Sequence, residues 1–395
     1  MNYPVNKQEF IRLANSARKG NFTRYTVRQE NMKIKDVASF LESLAPLAWQ
    51  EDYDNAGLTC GNPEQELTGV LVTLDVTDAV LEEAESKRCN LIVSHHPVIF
   101  RAVKKITPGT PEGALMMKAI QKGIALYAIH TNLDNWHQGV SAILCEKLGI
   151  KNLRVLAPRS GRLRKLVTFC PSDYAAKVRE ALFKAGAGHI GNYDACSYNL
   201  EGFGTFRAQE GANPFVGEVG KIHHENEVRI ETIFPDHIAS KLIGALLAAH
   251  PYEEVAYDIY PLSNEEPLVG SGMTGELDKP VPAAEFLATV KQVLGIPVIR
   301  HTELTGRKIQ KVACCGGSGA FLIPDARRAG AELFLTGDIK YHEFFQGDRQ
   351  MILADIGHYE SEQFAKELIA NVLIKNFSNF AVLISEEGVN PVNYL

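Results

Sequence analysis

The sequence predicts an α/β protein: one α/β domain, split in the chain and interrupted by a smaller, inserted ferredoxin-like α+β domain. Three observations carry this expectation. From Thr68 to about residue 150, β-rich runs alternate with runs of helical length, the pattern of parallel βαβ units. Between about 165 and 262 the order changes to βα, ββ, αβ. After about 280 the α/β alternation returns.

The elements follow in order. Residues 1–31 are polar and basic with little periodicity, an N-terminal extension with no assigned role. Met32 opens a cleaner pattern in which Val37, Phe40, Leu41 and Leu44 have helical spacing, with Asp36 placed to favour the helix dipole. GVLVTLDV (69–76) reads as strand and DAVLEEAESKR (78–88) as helix. NLIVSHHP (90–97) is a buried strand stopped by proline, and GALMMKAIQKG (113–123) a helix closed by glycine. IALYAIHTNLD (124–134) is the next strand and VSAILCEKLG (140–149) the next helix. APRSGRLRK (157–165) reads as a basic, loop-like junction. In the insert, 165–262, a strand and helix precede a hairpin over 189–208. A glycine-rich loop, a strand, a helix and a last strand, VAYDIYPL, complete it. The split domain, 32–160 and 270–395, resumes with a helix over 283–295. The runs 308–317, 332–338 and 380–388 read as strands, and 350–361 crosses from strand into helix.

Composition narrows the class. A chain of 395 residues suits two or three domains. At 45% hydrophobic and 22% charged it is neither disordered nor membrane-like, and the apolar runs fall short of a span. A net charge of −6 argues against direct nucleic-acid binding. Seven scattered cysteines without a CxxC pair suit a reducing cytoplasm, and the N-terminus lacks the apolar run of a secretory signal.

Chemistry gathers where the strands end. NLIVSHHP ends in His95 and His96, ALYAIHTNLDN brings His130 and Asp134, and ILADIGHYESE brings His358 and Glu362. Sites in open α/β sheets form outside the carboxyl ends of strands. His358 and Glu362 stand four residues apart, on one face of a helix. Imidazole mixed with carboxylate suits zinc, iron, manganese, cobalt or nickel better than calcium. Five ligands exceed one closed tetrahedral zinc site; they fit two divalent metal ions bridged by a carboxylate, with positions open to water. Asp338 and His342, in TGDIKYHE, also have ligand-pair spacing and are candidates to orient a ligand or move a proton, as is His130. GGSG (316–319) is a weak phosphate-loop signal. Cys314-Cys315 reads as core, and His223-His224 has no carboxylate partner that would make it a site. There is no Walker-type loop.

At these residues the chain resembles the Ngg-one-interacting-factor-three-like proteins, often labelled GTP cyclohydrolase 1 type 2 homologues. The resemblance rests on DNAGLTCG (54–61), VTLDVT (72–77), SHHPVIF (94–100), IHTNLDN (129–135), ACCGGSG (313–319), TGDIKYHE (336–343) and GHYESE (357–362). It covers roughly 32–395. The usual Trp-Asp-Asn is here Tyr53-Asp54-Asn55, and ACCGGSG carries an extra cysteine. The resemblance implies a dinuclear centre held by His95, His96, Asp134, His358 and Glu362, with Glu362 bridging. It also implies a PII-like or CutA-like insert and a toroidal homohexamer with its metal sites facing an inner cavity. The expected activity is hydrolysis of a nucleotide or phosphoester-like small molecule through a metal-bound hydroxide, with His130, His342 and Asp338 assisting. The alternative is a non-catalytic metal-binding regulatory or metal-trafficking protein with a PII-like sensor domain.

Overall fold

The computed structural model describes residues 32–395 except 102, 305 and 389. The extension 1–31 lies outside the described residues. The first α/β stretch supplies β1 (Gly57–Cys60), β2 (Gly69–Thr73), β3 (Leu91–Ser94) and β4 (Ala125–Ala128). Every residue of β2, β3 and β4 is buried, as in strands covered on both faces. Helices Asp78–Ser86 and Pro111–Lys122 make the crossovers, each started by a threonine whose hydroxyl accepts from a backbone N–H of the first turn.

Next come β5 (Lys151–Ser160), β6 (Leu163–Pro171), β7 (Tyr198–Arg207), β8 (Ile222–Pro235) and β9 (Tyr257–Pro261). The last four form a separate antiparallel sheet in the order β7-β8-β6-β9. Helices Ala175–Ala185 and Ala239–Ala249 connect β6 to β7 and β8 to β9, and their apolar sides share a core with Leu166, Ile230 and Phe234.

The chain then adds β10 (Glu265–Pro282), β11 (Arg300–His301), β12 (Lys308–Ser318), β13 (Leu333–Gly337), β14 (Ile352–Asp355) and β15 (Ala381–Ile384). The α/β part is thus mixed and has two sheets. One is ordered β1-β4-β3-β2-β15, the other β11-β14-β13-β12-β10-β5. β2, β3, β4 and β15 run parallel, as do β12, β13 and β14. Among the described residues no helix is long and apolar enough to cross a membrane, and all seven cysteines are free thiols.

Four expectations change. The strand read over 124–134 ends at Ala128, and Thr131–Asp134 is a short helix. The junction at 157–165 is largely strand: β5 pairs with β10 from Lys151↔Glu276 to Ser160↔Glu265. As the edge strand of its sheet it carries exposed Lys151 and Arg154 and half-buried Arg159 beside only two buried residues, Val155 and Leu156, so it lacks the apolar signature of a central strand. β10 itself, 18 residues long, lies where no strand was expected; bulges between Glu266 and Gly270 and between Glu276 and Val281 scramble its alternation. The hairpin over 189–208 is displaced. Only Ile190 and Tyr193 bridge there, and the true hairpin joins β7 to β8 across the glycine-rich loop.

Tyr127 in β4 is 1% exposed, and its hydroxyl has no partner among the described residues. A desolvated, unpaired hydroxyl costs about 1–3 kcal/mol. Tyr127→Phe is therefore expected to raise the thermal unfolding midpoint by roughly 2 °C. A lower midpoint would mean that the hydroxyl is satisfied.

Candidate metal centre

The two parallel stretches point their carboxyl ends into one cleft. β3 is followed directly by His95 and His96, β4 by His130 and the short helix Thr131–Asp134, and β14 by the helix His358–Glu362. A cavity of about 720 Å³ opens over them, its wall including His96, His130, Asp134, His358 and Glu362. His95 lies beneath, fully buried.

Glu362 is the point of convergence. Its Oε2 lies 3.0 Å from His96 Nε2 and 3.2 Å from His358 Nε2. Its Oε1 lies 3.7 Å from His95 Nε2, which is 3.6 Å from Asp134 Oδ1. The donor atoms of His96, His358 and Glu362 lie within 4.8 Å of one another, as do those of His95, Asp134 and Glu362 and those of His95, His96 and His130. Any of these groups could hold a metal ion.

Each imidazole is aimed by its other nitrogen. His95 Nδ1 donates to the Ile129 carbonyl at 2.9 Å. His96 Nδ1 meets Asp75 at 2.8 Å, and His358 Nδ1 meets Asp338 at 2.7 Å. That leaves each Nε2 facing the cluster, the arrangement in which outer partners fix the tautomer of metal-binding histidines. His95 Nε2 and Asp134 Oδ1 are buried with no hydrogen-bond partner among the described residues. Buried polar atoms are rarely left so, and a cation between them satisfies both. On these grounds the residues fit a metal.

The profile of the Duf34/NIF3 family (NGG1p interacting factor 3) matches residues 32–391. The chain belongs to the Duf34/NIF3 family. A Bacillus subtilis (strain 168) protein named GTP cyclohydrolase 1 type 2 homolog is 39% identical over 369 residues, covering 91% of this chain and 98% of that one. A Halalkalibacterium halodurans protein of the same name is 40% identical, covering 79% and 85%. A crystal structure of a Bacillus cereus protein related to NIF3 superimposes with a TM-score of 0.80 at 36% identity, over 93% of this chain and all of that one.

In this Duf34/NIF3 chain the electrostatics of the cluster favour positive charge. Burial opposes protonation of His96, yet hydrogen bonds to Asp75 and Glu362 push its pKa up to about 10. The bond to Glu362 raises His358 to about 9. Burial works to raise the Glu362 carboxyl, but the histidines around it outweigh that and hold it well below the usual range. Burial pushes the Asp134 carboxyl up.

The structure brings His95, His96, His130, Asp134, His358 and Glu362 together. Asp338 reaches the cluster through His358 and also lines the cavity wall. His342 does not join: it is exposed, and its ring stacks on Phe345 outside the cavity wall. Three contributors had no ligand-like spacing in the sequence. Asp75 follows β2 at the same sheet edge and holds His96. Asp54, its side chain fully buried, holds His130 Nδ1 at 2.7 Å and accepts from the Thr131 N–H at 3.0 Å. Gly317, at φ +63, leaves room for Glu362: a Cβ there would stand 2.2 Å from Oε1. The glycine-rich end of β12 therefore packs on the carboxylate, and the Ser361 hydroxyl accepts from the Gly317 N–H at 2.9 Å.

Removing an outer partner typically costs about 10–100-fold in metal affinity. Asp75→Ala should weaken divalent-metal binding by that factor in a competition titration with a chelating dye, whereas His342→Ala should leave it unchanged. Equal effects from both substitutions would contradict the geometry.

Proposed function

We propose that this protein is a dinuclear-metal-dependent hydrolase acting on a nucleotide or phosphoester-like small molecule. The observation that carries the reading is the division of Glu362: its two oxygens address two different donor sets. In this reading His95 and Asp134 with Oε1 would hold one divalent ion, and His96 and His358 with Oε2 the other. When bound, such a pair supplies Lewis acidity and a water activated near neutral pH.

The chain's own residues do the rest. Asp54 fixes His130 through Nδ1, leaving its other ring nitrogen free to take or return a proton beside the cluster. Tyr53, Phe100 and Phe321 give the cavity exposed aromatic walls on which a planar base can stack. Arg300, at the same wall, offers a guanidinium to an anionic group, tempered by its ion pair with Asp355. The relatives' name supports GTP as the first substrate to try; the same residues serve other phosphoesters. We read the β6–β9 unit, a βαββαβ chain, as the ferredoxin-like, PII-like insert. A second reading, a metal-binding regulatory protein with that insert as its sensor, draws support from a separate cavity in the unit.

The test is to load the protein with manganese, iron, zinc and cobalt in turn and assay GTP and generic phosphoesters. The reading expects turnover with at least one metal, reduced roughly 100-fold or more in Glu362→Ala. If no metal gives turnover that Glu362→Ala abolishes, the regulatory reading replaces it.

A further inference from the structure

The second cavity, about 770 Å³, lies in the four-stranded unit and shares no wall residue with the metal centre. Its size is within the roughly 300–1,000 Å³ of small-molecule pockets. The floor is the sheet face turned away from the two helices. Register places Leu200, Arg229 and Phe169 in one row and Gly202 beside Glu227 in the next. The β7–β8 loop folds back over this floor and is pinned where the Asn213 N–H donates to the Glu253 carboxylate at 2.8 Å.

Aromatic rings form the walls. Tyr252 contacts Phe206 and Phe215, each at 6.2 Å between centroids and inclined by 59° and 50°. Phe215 also meets Tyr174 edge-on at 5.5 Å. A carboxylate is set among these rings. The Tyr252 hydroxyl donates to Glu227 Oε1 at 2.8 Å. Oε2 has no hydrogen-bond partner among the described residues. Gly204 makes room for it, since a Cβ at 204 would stand 2.2 Å away.

The charge of the lining is lopsided. On the floor and walls Glu227, Glu253 and Glu254 stand against Arg229, whereas Glu201 and Arg207, in register with Val228 and Ile222, alternate to the other face of the sheet. Arg229 is already committed: its Nε donates to Glu231 at 2.9 Å, and its guanidinium lies 5.7 Å over the Phe169 ring. Aromatic faces attract cations through the ring quadrupole, and a carboxylate among them adds direct attraction. An anionic ligand would meet an excess of like charge.

We propose that the β6–β9 unit binds an amphipathic organic cation, its ammonium-type head seated between Glu227 and the rings of Phe206, Phe215 and Tyr252. This site is independent of the hydrolase reading. The probe is choline, compared with its neutral carbon isostere 3,3-dimethylbutan-1-ol, by calorimetry or ligand-observed NMR on the full chain. Choline is expected to bind at least tenfold more tightly than the isostere. Glu227→Gln should weaken choline about tenfold. Gly202→Leu should abolish binding, because a side chain at 202 enters open space in an extended strand. Glu362→Ala, in the other cavity, should leave choline binding unchanged. Circular dichroism checks that each variant is folded. Equal binding of choline and the alcohol overturns the proposal. So does choline binding that survives both Glu227→Gln and Gly202→Leu, or that is lost in Glu362→Ala.

Discussion

The Glu362 carboxylate is 3% exposed and lies within 3.0–3.7 Å of three imidazole nitrogens. A buried carboxylate is expensive unless positive charge and hydrogen bonds surround it. Much of the local structure answers that requirement. Gly317 gives up its side chain so that Oε1 can sit against the end of β12. Gly357, at φ +87, starts the helix that carries both His358 and Glu362. Ser361 ties that helix to the glycine-rich end of β12. Two imidazoles are backed by carboxylates and the third by a carbonyl, so all three present the same nitrogen inward.

Two sheets are needed to meet the requirement. His95, His96 and Asp134 belong to the sheet of β2, β3 and β4, whereas His358 and Glu362 follow β14 in the other. Neither sheet alone assembles any donor group that contains Glu362. The cluster therefore couples the two sheets, and a cation at Glu362 would act as a cross-link between their cores. The four-stranded unit takes no part in this geometry. Its sheet, core and cavity are separate, which suits a role of its own.

The five proposed ligands were legible because each directly follows a buried strand or sits one helical turn on. That is a local pattern, and parallel strands bring their carboxyl ends to one edge. Asp75 and Asp54 were legible only as parts of family motifs. A lone aspartate after a strand or in a turn has no distinguishing spacing, and its meaning comes from an imidazole far away in sequence. His342 shows the opposite failure. Asp338 and His342 have helical spacing, but Asp338 adopts φ +56 and the helical turn begins only at Tyr341, so four residues do not make one turn there. In the fold, the apolar strands of the parallel stretches could be read directly. β5 and β10 could not, because an edge position and repeated bulges remove the alternation that marks a strand.

The claim that Glu362 divides itself between two ions is tested most directly by electron paramagnetic resonance of the manganese-loaded protein. About two manganese ions per chain are expected, with a spin-coupled dinuclear spectrum that Glu362→Gln converts to uncoupled manganese. A wild-type spectrum of isolated, uncoupled manganese at full occupancy would contradict it.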